Sequence, residues 1–172
     1  SYYDGGVALG LQASSSGNAM GWSGWGIEIS DLDNDGLEDA VAAGGQPIGG
    51  LSSGQTYPDI IWQGVDSTQA QFSDVSNSVE FGSDLDHYGL VTADFDGDGW
   101  LEVVLSGVPG PPLFWQNQCG SEAWVSLELR APLPNWQAYG ARVDLTVGGK
   151  TWVREMQNMH AMSQHSPILH FG

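Results

Sequence analysis

The sequence predicts an all-β protein in which one strand–turn–strand unit occurs twice and is followed by a small antiparallel β-domain. Three observations predict this fold class. A nine-residue acidic motif occurs at 31–39 and again at 94–102, and short apolar runs flank both copies. The last third of the chain alternates apolar and polar residues, a pattern typical of strands that bury one face.

Both copies of the motif place acidic residues at positions 1, 3, 5 and 9 and glycine at position 6. Clustered carboxylates repel one another by about 1 kcal/mol per pair even in water. Ca²⁺ removes this repulsion because it accepts about six to eight oxygen ligands, and the glycine permits the sharp turn that brings them together. With the backbone carbonyl at position 7, the predicted ligands of two Ca²⁺ sites are Asp31, Asp33, Asp35, Leu37 and Asp39, and Asp94, Asp96, Asp98, Trp100 and Glu102.

The flanking residues decide which kind of calcium turn this is. An EF-hand is excluded, because its last loop position requires a bidentate Glu and the two copies have Ala42 and Leu105 there. The apolar runs beside each motif are short and end near Gly, which favours strands over helices. Each motif is therefore predicted to be the turn of a β-hairpin, and the alternative is an acidic surface turn without metal.

More strands extend the repeated unit. Segments 59–63 and 71–75 are predicted strands, and the Trp–Gln pair at 62–63 recurs 53 residues later at 115–116. Repetition of units of about four strands is the signature of a β-propeller. Two units are fewer than the roughly four to eight blades that close a propeller, so we expect uncovered apolar faces.

The motif Asp-x-Asp-x-Asp-Gly-x-x-Asp between two short strands resembles the FG-GAP repeat of integrin-like propellers. The resemblance carries a calcium-binding role to the acids of the first copy and to the first three acids of the second. Glu102 departs from the usual final Asp, although its longer side chain can still reach a metal.

The C-terminal third has a second resemblance. Strands are predicted at 121–130, 141–147 and 151–156, and the last two flank a Gly148-Gly149 hairpin turn. The segments Tyr139-Gly140-Ala141-Arg142-Val143 and Leu169-His170-Phe171-Gly172 are similar to the ASPIC/UnbV domain, which follows FG-GAP blades in secreted proteins similar to cartilage acidic protein and its bacterial relatives. We therefore predict two FG-GAP-like repeats over 1–118 and an ASPIC/UnbV-like β-domain over 119–172.

Composition limits the classes of partner. Four Lys and Arg against 21 Asp and Glu give a formal charge of −17, and nine of the acids lie in the two motifs. Nucleic acids and anionic membrane surfaces are poor partners for such a chain. No apolar run approaches the roughly 18 residues of a membrane span. Calcium turns of weak affinity fill only where calcium is about millimolar, so we expect an extracellular or cell-surface protein.

We expect a structural or adhesion protein rather than an enzyme, because no catalytic motif accompanies the acids. His87 beside Asp86 is interpreted as a surface hydrogen bond. Among the eight Trp, those inside predicted strands are interpreted as core, and those at turns as interface anchors or sugar-stacking platforms. The strand group is Trp62, Trp115 and Trp152, and the turn group is Trp22, Trp25, Trp100 and Trp136.

The uncovered faces leave three interpretations open. The chain is completed by other copies of itself, as a homo-oligomer or a polymer such as a filament or surface layer, or by a different chain that supplies blades or strands. A second hypothesis is a carbohydrate-binding or carbohydrate-active secreted protein that uses turn Trp residues such as Trp136. A third is that the sequence is a fragment of a larger secreted propeller protein.

Overall fold

The computed structural model describes residues 6–11, 23–47, 57–66, 68, 70–83, 85–118, 120–157, 159, 163–164 and 166–172. Among these residues, strands arranged in antiparallel sheets account for nearly all regular structure. The all-β fold class is therefore confirmed. No helix in the described part of the chain has the length and apolarity needed to span a bilayer.

The first repeat is a four-stranded antiparallel sheet whose strands follow chain order. Its strands are β1 (Gly24–Ser30), β2 (Asp39–Gly44), β3 (Ile60–Asp66) and β4 (Gln71–Asp74). The β1–β2 register pairs Ser30 with Asp39, so the first acidic motif is the turn between these strands.

The second repeat has the same order but one strand fewer. Its strands are β5 (His87–Ala93), β6 (Glu102–Gly107) and β7 (Leu113–Trp115). Ala93 pairs with Glu102, so the second acidic motif also closes a hairpin. Within the described residues, no fourth strand pairs with β7.

The C-terminal region consists of two small antiparallel sheets. Strand β8 (Val125–Glu128) pairs with β11 (Ile168–Phe171), and β9 (Arg142–Val147) pairs with β10 (Lys150–Glu155). Gly148 and Gly149 form the β9–β10 turn with φ of 60° and 84°, so the predicted glycine hairpin is present. Apolar side chains from both sheets pack around Met156, Leu169 and Phe171.

The main core lies between the two repeats. Val41 and Ala43 of the first repeat pack there against Leu90, Val103 and Leu105 of the second. The other face of the first sheet carries Ala40, Ala42, Ile60 and Trp62, which Leu11 and Phe72 help to cover. Leu11 follows a helical turn, α1 (Gly6–Leu9).

Candidate metal centres

Both acidic motifs form tight turns with two residues in the left-handed region. In the first turn these are Asn34 and Gly36, with φ of 55° and 80°. In the second they are Gly97 and Gly99, with φ of 80° and 90°. Gly adopts this region without strain, and Asn is one of the few other residues that tolerate it. The positions of Gly and Asn therefore set the backbone conformation of each turn. That conformation determines where the acidic side chains point.

The first turn brings together the acids at positions 1, 3 and 9. One carboxylate oxygen from each of Asp31, Asp33 and Asp39 lies within 4.8 Å of the others. Asp31 is 1 % exposed and accepts the backbone N–H of Gly36 at 2.9 Å. Burial raises the pKa of Asp31 to about 6 and that of Asp39 to about 7, although backbone hydrogen bonds lower the pKa of both. Three anions held this close require a compensating charge.

The second turn repeats the arrangement with Asp94, Asp96 and Glu102. Glu102 is fully buried, and burial raises the pKa of its carboxyl. Its Oε2 accepts the backbone N–H of Phe95 at 2.8 Å. Its Oε1 is buried and has no hydrogen-bond partner among the described residues. A buried carboxylate oxygen without a partner is costly, and a cation in the cluster would satisfy it.

The donor chemistry of both clusters fits a hard divalent cation. All six clustered side chains are carboxylates, whereas zinc and copper sites use nitrogen or sulfur ligands. Oxygen-rich sites of this kind suit Ca²⁺ or Mg²⁺, and Ca²⁺ tolerates the irregular geometry of a turn better. The residues present therefore fit the metal that the motif predicts.

The structure does not bring positions 5 and 7 into these clusters. Asp35 and Asp98, at position 5, instead use Oδ1 to accept the N–H groups of Leu37 at 2.7 Å and Trp100 at 2.9 Å. Asp forms such local bonds readily, which places its side chain along the turn. A ligand role for Asp35, Leu37, Asp98 and Trp100 stays a prediction.

Two glutamines outside the motifs support the acid at position 3 of each turn. Gln63 Nε2 donates to Asp33 Oδ2 at 2.5 Å, and Gln116 Nε2 donates to Asp96 Oδ2 at 3.0 Å. Both belong to the repeated Trp–Gln pairs, so the repeat contained the signal. We had interpreted those pairs only as strands.

Asn34 connects the first turn to two other parts of the molecule. Its Nδ2 donates to the carbonyl of Gly99 in the second turn at 3.0 Å. That bond sets the amide orientation, so Asn34 Oδ1 accepts from His170 Nε2 at 2.8 Å. Burial lowers the pKa of His170, an effect that nearby Asp94 opposes. The hydrogen bond to Asn34 requires a proton on Nε2 of His170.

Other predicted candidates have different positions. His87 is buried and its Nδ1 lies 2.8 Å from Asp59 Oδ2, so the surface hydrogen bond we expected with Asp86 was wrong. Trp62 is buried as predicted, and Trp100, expected to be an interface anchor, is also buried. Trp22 lies outside the described residues.

Family comparisons agree with the two resemblances. A family described as FG-GAP-like repeat matches residues 31–105, which include both turns, and one described as ASPIC and UnbV matches residues 132–172. FG-GAP repeats generally bind calcium and typically occur in extracellular or surface proteins. No curated protein and no solved structure matches the chain. The matches leave the boundary between 118 and 119 a prediction.

Proposed function

Because the chain joins an FG-GAP-like repeat to an ASPIC and UnbV region, we propose that it is an extracellular structural or adhesion protein. In this proposal two Ca²⁺ ions stabilise its hairpins, and self-association completes its second repeat. The observation that carries the proposal is an apolar sheet face that is covered in the first repeat and exposed in the second.

Calcium would act as a structural link in each hairpin. The clustered acids at positions 1 and 3 lie in the turn, whereas the acid at position 9 is the first residue of the following strand. An ion held by all three would fix the turn to the strand. Because it binds the folded turn far better than the open chain, it would stabilise the fold by mass action.

The surroundings of the acids support a structural rather than a catalytic role. Asp31, Asp39 and Asp94 each accept backbone N–H groups from within the repeats through both carboxylate oxygens. Groups bound in this way are held for a metal rather than presented across a substrate cleft. A hydrolase would need a general acid and a second group on opposite sides of the scissile bond.

The two repeats differ in how their equivalent faces are covered. Val41 and Ile61 of the first repeat pack against the second repeat. The equivalent residues of the second repeat are Val104 and Phe114, which pair across β6 and β7. Phe114 is 55 % exposed and stacks edge-on with Phe95, which is 52 % exposed, at 5.8 Å between ring centroids. Exposed aromatic pairs on a sheet with an open edge mark interaction surfaces.

A second copy of the chain is the partner this face supports best. In the first repeat, the equivalent face is covered by the opposite face of a sheet of the same type, which shows that sheets of this curvature can pack face to face. Two copies that meet through their second repeats would form an isologous two-fold contact. Such a contact would bury both Phe95–Phe114 pairs and the edges of both β7 strands, with which no strand pairs in the described part of the chain.

Light scattering after size exclusion tests self-association. We expect a dimer or larger species in calcium, and a monomer for Phe114→Glu, because a buried charge without a partner is costly. Leu133→Glu is the matched control, since Leu133 is 82 % exposed on the C-terminal region. A wild-type monomer at all concentrations would rule out self-association.

Calorimetric titration tests the metal. We expect two Ca²⁺ per chain and a melting temperature that falls by about 10 °C or more in chelator. A site at a hundredfold excess of ligand contributes about 2.7 kcal/mol, and each kcal/mol shifts the melting temperature by about 2–4 °C at this size. An equal concentration of Mg²⁺ is the control. Identical melts in calcium and chelator would contradict the proposal.

Glycan binding is a second candidate that one observation favours. Trp136 is 47 % exposed, and the guanidinium of Arg130 lies 4.6 Å from its ring centroid. Exposed indole faces stack on sugars. A glycan array with the wild type and with Trp136→Ala tests this role, and an array without hits would eliminate it.

A further inference from the structure

The C-terminal region contacts both metal turns directly, through groups that are not predicted metal ligands. Trp152 Nε1 donates to the carbonyl of Gly36 at 2.9 Å, and His170 Nε2 donates to Asn34. Arg154 forms an ion pair with Glu38, which precedes the last acid of the first turn. These contacts join residues more than a hundred positions apart in the chain.

Close packing accompanies these polar contacts. A Cβ added at Gly99 in the second turn would lie 1.8 Å from the ring of Trp124, so the indole rests on the turn backbone itself. A Cβ added at Gly172 would lie 2.4 Å from Asn34 Cα. Trp124 also stacks on His170, with 6.2 Å between ring centroids. The C-terminal region therefore fits the shape of both turns.

The contacted groups reach the C-terminal region only when the turns have the closed conformation in which the acids cluster. Asn34 and Gly36 have φ of 55° and 80°, and Gly99 has φ of 90°. Without a cation, the clustered carboxylates favour opening of the turn, because each close pair repels. Opening would move the Gly36 carbonyl away from Trp152 and the Asn34 amide away from His170.

From this geometry we infer that the two metal turns together form a docking surface for the C-terminal β-region, and that calcium binding and docking are coupled. The inference rests on the proposed calcium sites. Coupling between two equilibria is reciprocal. Calcium should therefore strengthen docking, and a loss of docking contacts should weaken calcium binding although no ligand has changed.

Calcium affinity of Trp152→Phe, measured by chelator competition, is the first test. Phe keeps an aromatic ring but removes the Nε1–H that reaches Gly36 together with part of the indole, a loss of ring area that the control variant shares. We expect at least one site to bind calcium about five-fold more weakly, the effect of one lost hydrogen bond transmitted through the coupling. Trp136→Phe is the matched control, because Trp136 lies in the same region and contacts Arg130 rather than the turns.

Arg154→Met gives a test in which electrostatics and docking predict opposite changes in calcium affinity. Arg154 pairs with Glu38 and donates to the carbonyl of His170 at 3.2 Å. Removal of a cation beside an anionic site should tighten calcium binding if charge alone matters. If docking matters, binding should weaken by a few-fold. A tighter or unchanged affinity in this variant would overturn the inference.

Indole ¹⁵N NMR of the wild type follows docking itself. The Trp152 Nε1–H signal, assigned from its absence in Trp152→Phe, should shift on chelation, whereas the Trp136 signal should stay in place. If the wild-type protein binds no calcium, both the proposed function and this inference are contradicted. Wild type that binds calcium, with both variants unchanged in affinity, would remove the inference alone.

Discussion

The two turns share one motif but have different surroundings. In the first turn, Asp31, Asn34 and Asp39 are buried, whereas residues 95–98 of the second turn are exposed. The last acids of the two turns also differ in how many of their oxygens accept hydrogen bonds. Both oxygens of Asp39 accept backbone N–H groups, at 2.8 Å each, while Glu102 keeps one oxygen without a partner in the described part of the chain.

This difference shows that one motif can serve two structural purposes. The first turn connects two other parts of the molecule. It contacts the second turn through Asn34 and the C-terminal region through the Gly36 carbonyl. Among the described residues, Oε1 of Glu102 in the second turn has no hydrogen-bond partner, so the second turn depends more on its ion. Substitutions at equivalent positions should therefore have unequal effects.

The largest difference is expected at position 9. In saturating calcium, Asp39→Asn should lower the free energy of unfolding by about 4 kcal/mol, because it weakens a site and leaves one backbone N–H facing an amide NH₂. Glu102→Gln should cost about 2 kcal/mol, since its remaining carbonyl oxygen can still accept from Phe95. Urea unfolding measures both, and equal losses would contradict the comparison.

Position 4 should give a difference of similar size. Asn34→Ala leaves Gly99 O and His170 Nε2 without partners and places Ala at φ 55°, so we expect a loss of about 3 kcal/mol. Gly97→Ala should cost about 1 kcal/mol, because it introduces only the φ strain and no atom lies within 4 Å of the added Cβ.

Asn34→Gly separates the two causes at position 4. It removes the side-chain contacts without introducing strain, so thermal or urea unfolding should place it between Asn34→Ala and the wild type. If Asn34→Gly is as stable as the wild type, the bridging hydrogen bonds contribute nothing.

The sequence predicted the local part of each site and missed the distant part. Positions of Gly and the acids are set within nine residues, so the motif was sufficient to predict that Asp31, Asp33 and Asp39 converge. Asn34 has no assigned role in the motif. Its partners lie 65 and 136 residues away, and no short pattern records contacts at that separation.

The same limit applies to the fold. Both hairpins and the Gly148-Gly149 turn followed from local patterns. Alternation also predicted the strand at 121–130, where β8 (Val125–Glu128) occurs. The pattern did not specify that β8 pairs with β11. Strand pairing depends on tertiary competition, which the alternation of apolar residues cannot specify.

The stability of the calcium-free protein should depend on pH, because the buried acids of the first turn are destabilising when they are charged. Folding raises the pKa of Asp31 and Asp39 from 3.8 to about 6 and about 7. The folded state therefore binds more protons than the unfolded state between these values, and stability in chelator should fall as pH rises from about 4 to about 7. The loss should be at least about 1.4 kcal/mol, the equivalent of one pKa unit, because neighbouring carboxylates titrate together and the two full shifts do not add.

Urea unfolding in chelator at pH 5 and pH 8 measures this dependence. Asp39→Asn should remove much of it, since Asp39 has the higher pKa. In saturating calcium the dependence should reverse, because the ligands must lose their protons to bind the ion. A chelated protein that becomes more stable from pH 5 to pH 8 would show that the buried acids are not strained.

The smallest difference is expected at the two glutamines. Gln63 is partly buried and bonds Asp33 at 2.5 Å, whereas Gln116 is exposed and bonds Asp96 at 3.0 Å. A partner that orients a ligand contributes most where water cannot replace it. Chelator competition should therefore show that Gln63→Ala weakens calcium binding by about five- to ten-fold and Gln116→Ala by about two-fold. Equal effects would mean that exposure, the feature that separates the two turns, does not govern how strongly each one holds its ion.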